Sequence, residues 1–93
     1  MIETEDLFLA GFGLVRGGEL AGVVVRSVNG RRLAFFRIAG ADLDQVEREY
    51  YAGQALVNLR LLKSEVARLK NVAFQTLREG ENGRGRGERP RGG

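Results

Sequence analysis

The stretch "RSVNGRRLAFFRI", residues 26–38, contains the strongest local structural signal in the chain. Asn29-Gly30 lies between two runs of alternating apolar residues, and this dipeptide readily adopts the positive φ angles of a two-residue type I′ turn. We therefore predict a two-stranded antiparallel hairpin with its turn at Asn29-Gly30 and with Val28 opposite Arg31.

The predicted register separates the side chains of this hairpin onto two faces. One face pairs Val25 with Ala34, Val23 with Phe36 and Ala21 with Ile38, and the other pairs Val24 with Phe35, Arg26 with Leu33 and Gly22 with Arg37. The first face is wholly apolar and is predicted to be core, whereas the second is mixed. Because a two-stranded ribbon alone is marginal in water, other elements must cover it.

A helix is predicted before the hairpin. Thr4 is its expected N-cap, Glu5 and Asp6 follow where the positive helix end favours acids, and Gly17-Gly18 ends it. A strand is the alternative, because the apolar residues of "LFLAGFGLV" also alternate and each glycine within a helix costs about 1 kcal/mol relative to alanine.

Two further helices are predicted after the hairpin. Asp42 and Gln45 have the spacing of a capping box, Leu43, Val46 and Tyr50 form the inner stripe of a short helix, and Gly53 ends it. After an extended connector, "QALV", Asn58 is expected to cap the longest helix, residues 59–79. Its apolar seam comprises Leu59, Leu62, Val66, Leu69, Ala73 and Thr76, and Leu61, Val72, Phe74 and Leu77 lie off that seam.

The fold class is therefore α+β: helix, two-stranded antiparallel hairpin, short helix, long C-terminal helix and a disordered tail. Residues 1–79 are predicted to form a single small domain. Residues 80–93, "GENGRGRGERPRGG", contain no apolar residue and are predicted to be a flexible Gly/Arg-rich tail.

Composition excludes several kinds of chemistry. The 93-residue chain has no cysteine and no histidine, so it lacks disulfides, cysteine metal sites and the usual general base near neutral pH. Its longest apolar run is far shorter than the roughly 20 residues of a membrane-spanning helix. No basic segment precedes that run, which argues against a secretory signal, so we expect a cytoplasmic protein without a membrane partner.

Three motifs that resemble catalytic or cofactor sites favour a structural role. "GFGLVRG" has the wrong glycine spacing for a dinucleotide-binding loop. Tyr50-Tyr51 resembles a paired nucleophile but lacks the histidines that would hold its metal. The third motif is a group of acidic residues that could suggest a metal site, but they spread around one short helix instead of converging. They are Asp42, Asp44, Glu47 and Glu49. We therefore predict no catalytic residue, no cofactor and no metal site.

The basic residues carry the functional prediction. The net charge is +3, with 13 arginines against two lysines. The candidate phosphate-binding residues are Arg26, Arg31 and Arg32 near the hairpin tip, Arg60, Lys63 and Lys70 on one side of the long helix, and Arg84, Arg86, Arg89 and Arg91 in the tail. Cations grouped in this way are typical of proteins that bind DNA or RNA through the backbone. The alternative is a protein interaction or assembly module.

The hairpin and the long helix expose more apolar surface than the predicted helices can cover. The sequence therefore favours a homodimer in which ribbons or long helices of two copies cover one another. A monomer with the first helix on the opposite face of the hairpin is the alternative.

The order of these blocks resembles a family of short phage and mobile-element proteins of unknown function. Their pattern is T-x-D-L-x-L-A, then an F-x-F-like strand, Y-Y-x-G and a helix ending in L-K. The matching residues here are Thr4, Asp6, Leu7, Leu9, Ala10, Phe36, Ile38, Tyr50, Tyr51, Gly53, Val57, Leu69 and Lys70. The resemblance covers about residues 4–75 and implies a fold and a mobile-element origin, but no activity.

Overall fold

The structure is a computed structural model that describes residues 1–40 and 42–86, with side chains up to Glu79. Its elements are β1 (Ile2–Thr4), α1 (Leu7–Val15), β2 (Glu19–Val28), β3 (Arg31–Ala39), α2 (Leu43–Tyr51) and α3 (Leu59–Arg86). The strands form one antiparallel sheet in the order β1-β3-β2. The predicted α+β fold class is confirmed.

The hairpin forms as predicted around Asn29-Gly30. These residues have φ angles of 53° and 80°, and the pairing runs in the predicted register from Val28 opposite Arg31 to Gly22 opposite Arg37. Beyond Gly22 the register shifts, so Leu20 rather than Ala21 lies opposite Ile38. The prediction for Ala21 is wrong because a bulge inserts one extra residue into β2 at this point.

β1 was not predicted, and it makes β3 the central strand. Ile2 lies opposite Ile38 and Thr4 opposite Phe36, and Ile2 is only 2% exposed. Three residues are too few to show a strand period, and their partner lies more than thirty positions away along the chain. The pairing places the start of the chain in the core.

The first helix is confirmed, but its cap is not Thr4. Asp6 is the N-cap, and its Oδ1 accepts hydrogen bonds from the backbone N–H of Phe8 at 2.9 Å and of Leu9 at 3.3 Å. Thr4 belongs to β1, and its hydroxyl oxygen accepts a hydrogen bond from the N–H of Asp6 at 3.0 Å. At the other end, Gly17 has a φ of 101°, as the predicted stop requires.

The second helix has the predicted inner stripe and terminator. Leu43 and Val46 are buried, Tyr50 is half-buried, and Gly53 ends the helix with a φ of 74°. The N–H of Gln54 donates to the carbonyl of Glu49 at 2.8 Å, which satisfies a carbonyl that the helix end leaves without an internal partner.

The predicted capping box of this helix does not form. Asp42 is the N-cap residue, but its φ is 62° and its side chain makes no capping hydrogen bond. A capping side chain normally requires an extended backbone at this position, which the left-handed conformation does not provide. The amide of Gln45 donates instead to Glu49 Oε2 at 3.0 Å.

The long helix begins where predicted. Asn58 Oδ1 accepts a hydrogen bond from the N–H of Leu61 at 3.1 Å, and Leu69 in the middle of the seam is fully buried. Leu59, which was assigned to the seam, is 66% exposed. The backbone is helical to Arg86, so the first half of the predicted tail falls within α3, and residues 87–93 lie outside the described residues.

The core lies on one face of the sheet, between the sheet and the three helices. Its buried residues are Ile2, Leu9, Ala10, Phe12, Leu14, Phe36, Ile38, Leu43, Val46 and Leu69. The opposite face, which we call the outer face, carries Val24, Arg26, Leu33, Phe35 and Arg37, and none of these belongs to the core cluster.

Both α1 and α3 pack on the core side. A Cβ atom added at Gly11 would lie 3.1 Å from both Leu62 Cδ1 and Val66 Cγ2 of α3. A Cβ atom added at Gly13 would lie 3.4 Å from Ile38 Cγ2 of β3. The glycines of α1 thus allow the close approach of a helix and a strand. A first helix on the opposite face, the arrangement of the alternative monomer, is therefore wrong.

No helix in the described ranges combines the length and apolar character needed to cross a membrane.

Candidate functional site

Four cations share one exposed side of α3. Arg60, Lys63 and Lys70 are exposed as predicted, and Arg78 joins them. At 3.6 residues per turn these positions fall within an arc of about 80°, and at 1.5 Å per residue they extend along about 27 Å of the helix. Arg78 was missed, although its distance of five full turns from Arg60 was readable from the sequence. We call these four residues the α3 basic stripe.

The α3 basic stripe contains no acidic residue. Glu65 lies on the opposite side of the helix and forms an ion pair with Arg68 at 2.7 Å, so that arginine is neutralised. Within the described part of the chain, none of the four stripe cations has a carboxylate within ion-pair distance. The residues that lie between them on this side of the helix are uncharged, and Phe74 among these is 67% exposed.

The hairpin arginines do not form one cluster. Arg26 forms an ion pair with Glu3, and its guanidinium carbon lies 5.2 Å from the centroid of the Phe35 ring. Arg37 approaches the same carboxylate at 3.6 Å. Because β1 places Glu3 beside these arginines, the outer face is less positive than the sequence suggested.

The remaining predicted positions are separated as well. Arg31 is exposed at the hairpin tip, whereas Arg32, its neighbour in β3, lies on the core side of the sheet, because consecutive strand residues point to opposite faces. Arg84 and Arg86 belong to the last turns of α3, and their side chains are outside the described residues, as are Arg89 and Arg91.

A polar cavity and an apolar groove lie at the surface of the described structure. A polar cavity of about 570 Å³ is lined by Arg16, Asp42, Asp44 and Arg48, among others. An apolar groove of about 320 Å³ is lined by Leu7, Phe36, Ala73, Phe74 and Leu77. Lys70 of the basic stripe lies at its edge, with Arg32 and Glu5.

The acidic residues of α2 are not gathered into a metal site. Glu49 forms an ion pair with Arg16 at 2.6 Å, and this hydrogen bond lowers the pKa of the Glu49 carboxyl with help from the Gln45 amide. Among the described residues there is no group of three or more acidic side chains that could hold a metal ion. Glu49 instead acts in a local ion pair with Arg16 and a hydrogen bond with Gln45.

The glycine-rich motif lies inside α1 rather than before it. A short strand, β1, precedes the helix, but Gly11 and Gly13 are internal helix residues. A phosphate-binding loop needs its glycines between the strand and the helix N-terminus. The structure therefore gives these glycines a packing role.

Tyr50 joins α2 to the start of α1. Its hydroxyl donates to Asp6 Oδ2 at 2.7 Å, and its ring lies 6.5 Å from that of Phe12 and 5.3 Å from that of Tyr51. Burial and the carboxylate of Asp6 raise the pKa of Tyr50 to about 12. The phenol is thus held protonated as a hydrogen-bond donor, which suits a structural role better than a nucleophilic one.

This raised pKa predicts a loss of stability at high pH. Below the usual tyrosine pKa of 10.0 the phenol is protonated in both folded and unfolded chains, and its full contribution to the free energy of unfolding is present. Above pH 10 the unfolded chain loses the proton first, so this contribution to the free energy of unfolding falls until pH passes about 12. Urea unfolding across this range is expected to show a steeper decline for the native chain than for Tyr50→Phe. Equal declines in the free energy of unfolding of the two proteins would contradict the raised pKa of Tyr50.

Comparison of the chain with protein-family models, curated proteins and solved structures finds no match.

Proposed function

We propose that the protein is a small non-enzymatic accessory protein of a phage or mobile element that binds DNA or RNA through backbone phosphates. The observation that carries the proposal is the α3 basic stripe. Its four exposed cations have no ion-pair partner among the described residues, and no acid interrupts them. The like charges of such a row repel one another, and binding of a polyanion relieves this repulsion.

The chemistry of the stripe matches a phosphate backbone better than a single anion. The cations are distributed along about 27 Å of a rigid helix, so they can contact successive phosphates of one strand or two strands across a groove. Phe74 lies between Lys70 and Arg78 and exposes a ring on which an unpaired base can stack. Because contacts to backbone phosphates carry no direct sequence information, binding with little sequence preference is expected.

A pair of substitutions in the stripe tests the proposal. Arg60→Ser with Lys63→Ser removes two exposed charges far from the apolar groove, and we expect about tenfold weaker binding at low salt. Fluorescence anisotropy with labelled duplex DNA and labelled single-stranded RNA measures the change. Arg68→Ser is the matched control, because it removes one charge from the same helix but from a cation already paired with Glu65.

Two results would reject the proposal. The first is an absence of binding by the native chain at low salt to either nucleic acid. The second is an equal loss of affinity in the stripe variant and in the Arg68→Ser control, since general charge rather than the stripe would then be responsible.

The proposal also includes a cytoplasmic location and a homodimer. The dimer is supported by the outer face, where Val24 and Phe35 take no part in the core. Light scattering at the concentrations used for the binding titration gives the mass of the species that binds.

The second candidate function is a protein interaction module. The apolar groove favours it, because exposed apolar surface such as that of Phe74 and Leu77 is typical of protein interaction sites.

A further inference from the structure

The α3 basic stripe and the apolar groove share residues. Lys70 is one of the four stripe cations and also lines the groove. Phe74 lies within the arc of the stripe, about one helical turn after Lys70 and one turn before Arg78, and it lines the groove too. The groove therefore opens along the flank of the stripe, and a ligand that enters it also lies against the stripe cations.

The order of side chains along this part of α3 is cation, aromatic ring, cation. Lys70, Phe74 and Arg78 are four residues apart, so they project from one side of the helix at intervals of about 6 Å. All three are exposed, and neither Lys70 nor Arg78 has an ion-pair partner among the described residues. The surface thus presents an exposed ring between two positive charges that no described carboxylate neutralises.

The groove beside this ring is apolar and small. Ala73, Phe74 and Leu77 line it from α3, and Phe36 lines it from β3. Its volume of about 320 Å³ is near the lower end of the range of small-ligand pockets, which is about 300–1,000 Å³. A space of this size and character suits a flat ring system.

The ligand that matches both features combines negative charges with flat apolar faces. An apolar protein segment in the groove would cover Lys70 without a counter-charge, which is unfavourable. A symmetric dimer built through the groove would bring the stripe cations of two copies together. A nucleic-acid duplex supplies the charges but keeps its bases paired and stacked, away from the groove. A single strand supplies phosphates and unpaired bases together.

We infer that the preferred ligand of the α3 basic stripe is single-stranded DNA or RNA, with one base stacked on Phe74 in the apolar groove. This inference rests on the proposed phosphate-binding function and adds the form of nucleic acid that the site selects. Phosphates lie along the stripe at Lys63, Lys70 and Arg78, and the base between Lys70 and Arg78 turns into the groove. The backbone of the strand stays on the α3 side of the groove, away from the carboxylate of Glu5.

Removal of the ring tests the base contact. The probes are fluorescein-labelled oligo(dT) and oligo(U) of about twelve nucleotides, an abasic strand of the same length, and a duplex of that length. Phe74→Ala is expected to weaken binding of oligo(dT) and oligo(U) by about tenfold or more. It should leave binding of the abasic strand and the duplex within about twofold of the native chain, because these probes offer phosphates without a free base. Fluorescence anisotropy at low salt measures each affinity.

Phe8→Ala is the matched control for this variant. It removes the same kind of ring, which is 57% exposed on α1 and lies outside the groove lining. Phe74 is 67% exposed, so both variants are expected to fold, and circular dichroism checks this. We expect Phe8→Ala to bind every probe as the native chain does.

The salt dependence of binding separates the base contact from the phosphate contacts. Phe74→Ala should lower the affinity for oligo(dT) equally at all salt concentrations, because a stacked base releases no counterions. Lys70→Ser should instead reduce the slope of log affinity against log salt by about 0.7, the value for one phosphate of a single strand.

A tryptophan at position 74 gives a local readout, because the chain contains no tryptophan. Phe74→Trp keeps an aromatic face and is expected to retain affinity for oligo(dT) and oligo(U). A base stacked on the indole should quench its emission as the strand saturates the protein. The abasic strand and the duplex should bind without this quenching.

The inference is supported if Phe74→Ala weakens binding of the single strands alone and if these strands alone quench the emission of Phe74→Trp. It is overturned if the native chain binds the abasic strand as tightly as oligo(dT), if Phe8→Ala loses as much affinity as Phe74→Ala, or if oligo(dT) leaves the emission unchanged. Each of these results leaves phosphate binding through the stripe intact. Failure of the native chain to bind any of the probes at low salt would reject the proposed function and this inference together.

Discussion

Substitution of Gly18 by alanine is expected to destabilise the fold by about 2–3 kcal/mol, because the new methyl group overlaps its surroundings. Its Cβ would lie 2.8 Å from Ile38 Cγ2 and 2.9 Å from the carbonyl oxygen of Gly13. Real Cβ atoms do not approach other heavy atoms this closely, so the backbone or the core must move.

Neither neighbour can move at low cost. Ile38 is completely buried and pairs with Ile2 in the sheet, and the carbonyl of Gly13 already accepts a hydrogen bond from the N–H of Gly18 at 2.9 Å. The substitution therefore disturbs the end of α1 and the centre of the sheet together.

Gly22→Ala is the matched control for this prediction. No heavy atom lies within 4 Å of the position where its Cβ would be, and we expect a change within about 0.5 kcal/mol. Urea unfolding followed by far-ultraviolet circular dichroism measures both variants. Equal stability of the two variants would contradict the packing described for Gly18.

Substitution of Asp6 by alanine is expected to cost about 2–3 kcal/mol, since one carboxylate serves two elements. Oδ1 caps α1 by accepting from the N–H of Phe8 at 2.9 Å, and Oδ2 accepts from the Tyr50 hydroxyl at 2.7 Å. Alanine leaves backbone donors of the first turn and the phenol without this partner.

The two roles of Asp6 can be separated by related variants. Asp6→Asn keeps an oxygen for the cap and is expected to lose only part of the stability. Tyr50→Phe removes only the interhelical bond, and its effect should be smaller in an Asp6→Ala background than in the native chain. Additive effects in this double-mutant cycle, measured by urea unfolding, would show that the Tyr50 bond contributes nothing.

The hairpin could be predicted from the sequence because its determinants are local. Asn29-Gly30 permits one tight turn, and the alternation of apolar residues on both sides then fixes the register from Val28 to Gly22. Gly53 and Asn58 were predicted correctly for the same reason, since each acts through its own backbone or through a residue three positions away.

The features that were missed depend on distant contacts. β1 exists only because β3 offers a partner to residues 2–4, and no property of "IET" alone shows this. Because β1 was not predicted, Thr4 was assigned as the N-cap of α1. This omission also concealed Glu3, whose carboxylate neutralises Arg26 at the predicted phosphate-binding surface.

The candidate site was predictable only where helix geometry determines it. Arg60, Lys63 and Lys70 share a side of α3 because their spacing requires it, and the same arithmetic places Arg78 with them. The hairpin arginines depend on strand pairing and on Glu3, so their grouping from sequence proximity was misleading.

The salt dependence of nucleic-acid binding tests the role of the α3 basic stripe most directly. Each phosphate contact adds about 0.9 to the slope of log affinity against log salt for duplex DNA, so removing Arg60 and Lys63 together should reduce that slope by about 2. Arg68→Ser should leave the slope of the native chain unchanged. A native slope near zero, or a slope that the loss of Arg60 and Lys63 does not alter, would contradict binding through this surface.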